Sequence, residues 1–64
     1  MKRFNMNHRN KVFECGLDED GSVLIISKGK GGAEKYSSVG QIEPATDLEH
    51  AKSIAAKMLY CGGY

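Results

Sequence analysis

Four side chains in this 64-residue chain are of types that hold metals or act as nucleophiles: Cys15, Cys61, His8 and His50. Two cysteines and two histidines would make a tetrahedral zinc set, but such sites usually draw ligands from close pairs, and each of these residues stands alone. No metal and no other cofactor is expected. As a nucleophile, either cysteine would need a base, an oxyanion site and a pocket, and a chain this short has little room for a deep pocket beside a core. Cys15 reads as a small core residue and Cys61 as a helix-end residue. A Cys15–Cys61 bridge would fit a helix ending near the first strand, but a reducing compartment disfavours it.

The consecutive acids Asp18, Glu19 and Asp20 are read as solvated turn residues rather than a paired-carboxylate site. Gly29-Lys30-Gly31-Gly32 has backbone amides for a phosphate, yet it lacks the Lys-Ser/Thr ending of a P-loop and leads into no helix. It is read as a strand connector. With no catalytic assembly, the chain is expected not to be an enzyme.

These residues must be positioned by a small number of elements. Lys11–Leu17 alternates with Phe13, Cys15 and Leu17 on one side, and Ser22–Lys28 carries the β-branched run Val23-Leu24-Ile25-Ile26. The acidic, glycine-ended connector between them predicts a hairpin. Lys35–Ile42 is a third strand candidate, diluted by serine and glycine and ended by Pro44. Thr46-Asp47-Leu48-Glu49 has the form of a capping box, with the Thr46 hydroxyl as cap. From there Leu48, Ala51, Ile54, Ala55, Met58 and Leu59 fall at helical spacing, and Gly62-Gly63 stops the helix.

The expected fold is therefore α+β in two layers: a three-stranded antiparallel meander, with an extra N-terminal strand as an option, packed against one C-terminal helix. One domain spans 1–64, and residues 1–10 are either a flexible segment or that extra strand. The composition, 41% hydrophobic and 27% charged, suits a folded domain better than a disordered tail. No apolar run reaches the length of a membrane span or signal-peptide core, so a cytoplasmic location without membrane association is expected.

Charge is segregated along the chain although the net value is only +1. Lys2, Arg3, Arg9 and Lys11 make the start basic; Glu14 to Asp20 is acidic. If the connector between the first two strands holds an even number of residues, Phe13, Cys15 and Leu17 share a face with Leu24 and Ile26. Val12, Val23 and Ile25 then point the other way. One helix covers one face. The expectation is a docking surface of Val12, Val23 and Ile25 with Tyr36 alongside, engaging a protein partner or a second copy of the chain. The alternative is a nucleic-acid-binding module using Arg3, Arg9, Lys11, Lys28, Lys30 and Lys35. Its compactness suggests a small regulator of the phage or mobile-element type.

One stretch, His50-Ala51-Lys52-Ser53-Ile54-Ala55-Ala56-Lys57-Met58-Leu59, resembles the last helix of double-stranded-RNA-binding domains, where an Ala-Lys pair precedes Ala-Ala at the same interval after a three-stranded meander. The resemblance implies RNA contacts from paired lysines at the helix start. Here those positions hold Leu48 and Glu49, leaving Lys52, and no first helix is legible in the amino-terminal stretch.

Overall fold

The computed structural model describes residues 1–64. Strand-like alternation of Phe4 and Met6 gives β1 (Lys2–His8), which pairs with β2 (Lys11–Leu17) along its whole length, from Lys2 opposite Leu17 to His8 opposite Lys11. Arg9 and Asn10 form the connection, both at positive φ (52° and 64°). Two positive φ values in a two-residue loop are the twist-matched hairpin turn, which asparagine accepts readily. β3 (Val23–Lys28) and β4 (Glu34–Ser37) complete an antiparallel sheet in the order β1-β2-β3-β4, and α1 (Leu48–Cys61) packs on one face. The two-layer α+β fold is the one read from the sequence, with the optional N-terminal strand present as β1.

The hairpin between β2 and β3 corrects one sequence expectation. Leu17 lies opposite Val23 and Cys15 opposite Ile25, so the connector Asp18–Ser22 holds an odd number of residues. The Asp18 amide donates to the Ser22 carbonyl (2.9 Å), the Gly21 amide donates to the Asp18 carbonyl (3.0 Å), and Gly21 has φ 88°. This is a tight turn closed by a left-handed glycine, the usual three-residue hairpin loop. Changing loop parity by one residue inverts every side chain of the following strand. Val23 and Ile25 are therefore buried beneath the helix, while Leu24 and Ile26 lie on the opposite face.

The third expected strand is shorter at its far end than Lys35–Ile42. β4 ends at Ser37, and Gly40, at φ 96°, turns the chain away. The Gln41 side chain then replaces a strand. Its Oε1 accepts from the Val23 amide (2.9 Å), and its Nε2 donates to the carbonyls of Gly21 (2.8 Å) and Glu43 (2.9 Å). The Ala45 amide adds a bond to the Gly21 carbonyl (2.8 Å), fastening 41–45 to the β2–β3 turn.

The helix cap also differs from the expected one. Asp47, not Thr46, is the N-cap, its carboxylate accepting the His50 amide at 2.8 Å. His50 reaches back in place of Glu49, its Nδ1 accepting from the Thr46 amide at 3.1 Å. At the other end the Tyr64 amide donates to the Leu59 carbonyl (3.3 Å) across Gly63 at φ 74°, the Schellman closure. Ala51, Ile54, Ala55, Met58 and Leu59 enter the core against Phe4, Cys15, Val23 and Ile25, whereas Leu48 of the expected stripe stays at the surface. Phe13 lies at the margin of this core, with the Tyr64 ring edge-on at 5.6 Å.

Candidate interaction surfaces

The face of the sheet away from the helix is organised around one arginine. Arg3 Nη1 donates to Glu14 Oε2 (3.0 Å) and Glu34 Oε2 (2.9 Å), and Nη2 donates to Glu34 Oε1 (2.9 Å). The Tyr36 hydroxyl donates to the same Glu34 Oε1 at 2.7 Å. A guanidinium fork matches a carboxylate in this bidentate way, so three strands are tied together across the surface. The bonds from Arg3, then from Tyr36, pull the Glu34 carboxyl down to about 2, and Glu34 in turn raises the Tyr36 phenol and keeps Arg3 protonated. Beside this network Ile26 is buried without help from the helix. Gly16 makes room for the Met1 side chain, which lies where a Cβ would stand, whereas a Cβ there would only touch Ile26 Cδ1 at an ordinary 3.6 Å.

This arrangement divides the residues expected to dock a partner. Val12 and Tyr36 remain on the outer face, 67% and 48% exposed. Val23 and Ile25 are core residues and belong to no surface, for the reason of turn parity given above. The cations of the nucleic-acid alternative divide as well. Arg3 is engaged by two carboxylates. Arg9, Lys11, Lys28, Lys30 and Lys35 all fall at the end of the sheet that carries the β1–β2 turn and the turn Lys30–Gly32, and none of them has a carboxylate within salt-bridge distance. The opposite end carries Asp18, Glu19 and Asp20, joined there by Glu43, Asp47 and Glu49 because Gln41 and Ala45 fasten the loop before α1 to Gly21. Asp20 is held below the usual carboxylate range by the Ser22 amide, which donates to its Oδ1 at 2.9 Å. A nearly neutral chain thus folds into a molecule with one end dominated by cations, where Glu34 lies opposite Lys28, and one dominated by carboxylates, where Lys2 and Lys52 also lie.

Val39 and Ile42, not singled out in the sequence reading, are the most exposed large apolar residues, at 81% and 87%. They flank Gln41, whose hydrogen bonds fix the loop between them, so this exposure belongs to an anchored segment. The available signal was a lone glutamine between apolar residues, bracketed by Gly40 and Pro44. A strand assignment concealed it.

The metal-type residues are dispersed. No group of three or more His, Cys, Asp or Glu side chains is placed to hold a metal ion. Cys15 is a free thiol in the core, pushed up to about 11 by burial, so it is protonated and a poor nucleophile at neutral pH. Cys61 is free and exposed. His8 lies against Phe13 with ring centres 6.1 Å apart, and His50 is bound into the helix cap with its Nε2 3.2 Å from Glu43 Oε1. No helix is long and apolar enough to cross a membrane.

Compared with known proteins, the chain matches no protein-family model, no curated protein and no solved structure. The likeness to double-stranded-RNA-binding domains rests on α1 and the meander before it; residues 2–8 form the strand β1 and not a helix.

Proposed function

We propose that this chain is a small non-enzymatic interaction protein that regulates by occupying a surface of a protein partner. The observation that carries this reading is the anchored loop holding Val39 and Ile42 in solvent. A side chain that contributes nothing to its own core, yet is held still, brings apolar area to a partner at little ordering cost. Val12 and Tyr36 are further exposed apolar side chains on the outer face of the sheet, apart from this loop, with the Arg3–Glu34 network beside Tyr36. The cationic end steers the approach toward an acidic partner. Affinity capture from the native cell tests the reading when run with the unmodified chain and with Val39→Asp/Ile42→Asp in parallel. A partner retained by the first and lost by the second supports it; equal retention removes this loop from the interface.

A second reading, nucleic-acid binding, is favoured by one observation: Arg9, Lys11, Lys28, Lys30 and Lys35 share one end of the fold and none of them forms a salt bridge. Titration with RNA and DNA at two salt concentrations decides it. Phosphate contacts predict binding that weakens steeply with salt, and no signal at moderate salt removes the reading.

A further inference from the structure

The two edges of the sheet are built differently. β4 is a short edge of four residues, Glu34–Ser37, and shortness is one way natural sheets discourage further pairing. β1 is the other edge, Lys2–His8, and it has no proline and no bulge: its pairing with β2 is unbroken at every position. The two-residue turn makes His8 and Lys11 the closing hydrogen-bonded pair of the hairpin. By the alternation of an antiparallel ladder, Arg3, Asn5 and Asn7 then turn their N–H and C=O groups away from β2, toward the open edge.

We infer that this edge pairs with the β1 strand of a second copy of the chain, antiparallel and centred on Asn5, to form one continuous sheet with both helices on the same face. Three features of the molecule select this occupant. First, the register is self-complementary, as a two-fold interface requires. Asn5 pairs with its own equivalent, and Arg3 pairs with the equivalent of Asn7, so every outward-turned amide and carbonyl of the edge finds a partner. Second, the same register sets Phe4 opposite the equivalent of Met6 on the helix side, where Phe4 is a core residue and Met6 packs half-buried against the core, so the apolar layer continues across the junction. Third, antiparallel pairing lays the basic end of one copy beside the acidic end of the other. The turn carrying Arg9 and Lys11 then comes to the neighbour's end that carries Asp18 and Glu19, one strand in from Lys2, which itself falls opposite the equivalent of His8; the carboxylates at that end outnumber its cations. Like ends would repel in a parallel arrangement; here unlike ends meet twice. This interface belongs to the same class as the proposed protein docking but uses none of Val12, Tyr36, Val39 or Ile42.

Sedimentation equilibrium of the full chain tests the inference. The unmodified protein is expected at twice 7.0 kDa, and Asn5→Pro at the single mass. Proline at this position removes an outward N–H and no bond of the β1–β2 ladder, so circular dichroism of Asn5→Pro should keep the native signal. A charge-swapped pair provides a second route that leaves β1 intact. Arg9→Asp/Lys11→Glu and Asp18→Lys/Glu19→Lys should each dimerise at least about tenfold more weakly, and mixing them should restore the dimer as a hetero-pair. A monomer for the unmodified chain up to about 1 mM overturns the inference. So does a dimer that persists in a folded Asn5→Pro, or a mixture of the swapped chains that stays monomeric. None of these results bears on partner capture through Val39 and Ile42, so the two ideas fail separately.

Discussion

The two faces of the sheet close by different physics. Toward α1, Phe4, Cys15, Val23 and Ile25 meet Ala51, Ile54, Ala55, Met58 and Leu59, and the layer is held by apolar burial. On the other face a single arginine spans two glutamates and a tyrosine over one buried isoleucine, and Val12 is left in water. Burying one Leu, Ile or Met contributes about 1.5–3 kcal/mol, whereas exposed ion pairs contribute at most about 1 kcal/mol. The helix face should therefore carry the stability of the fold, leaving the outer face and the Val39–Ile42 loop free to change with function.

The contrast breaks most visibly at the helix. Leu59→Ala empties a site in the centre of the core and is expected to lower the unfolding free energy in urea by about 2–5 kcal/mol. In a chain this short that is most of the total or all of it. Gln41→Ala comes next, because the Val23 amide loses the side-chain oxygen it donates to and the Gly21 carbonyl keeps only the Ala45 amide: a loss of about 1–3 kcal/mol, read from the urea midpoint. The N-cap variant Asp47→Ala should cost about 1 kcal/mol, with reduced helicity at the first turn by circular dichroism.

The smallest effect sharpens the other side of the comparison and appears as a pH dependence. Glu34 titrates at about 2 in the folded chain, below its ordinary 4.5. A lowered folded-state value means that its contribution is present above the unfolded value and is lost as pH falls from about 4.5 toward 2. Thermal melts over that window should show a small decline that Glu34→Gln reduces, the remainder coming from Asp20, and salt should diminish the difference because the Arg3–Glu34 pair lies at the surface.

Period and punctuation made most of this fold readable. Alternation marked β2, a β-branched run marked β3, helical spacing marked α1, and the alternation of Phe4 and Met6 left β1 as an option beside a flexible segment. The faces were harder, because they depend on the parity of a single turn. Asp18–Ser22 could be recognised as a hairpin from composition, but whether Leu17 faces Val23 or a residue one place away is settled by backbone hydrogen bonds that leave little trace in residue type. That ambiguity put Val23 and Ile25 on the wrong side. The region after Ser37 was obscured for a related reason: Gln41 substitutes a side chain for backbone pairing, and a sequence pattern for strands has no symbol for that. Arg3 looked like a free cation because its carboxylates, Glu14 and Glu34, arrive from distant strands.

The most direct measurement is urea unfolding of Val12→Asp beside Ile25→Asp, two positions that an even-numbered turn would place on the same exposed face. With Ile25 in the core and Val12 in solvent, Ile25→Asp should leave no folded baseline, whereas Val12→Asp should keep its midpoint within about 0.5 kcal/mol of the parent. A folded Ile25→Asp, or equal losses at the two positions, would contradict the register on which the division between core and docking surface rests.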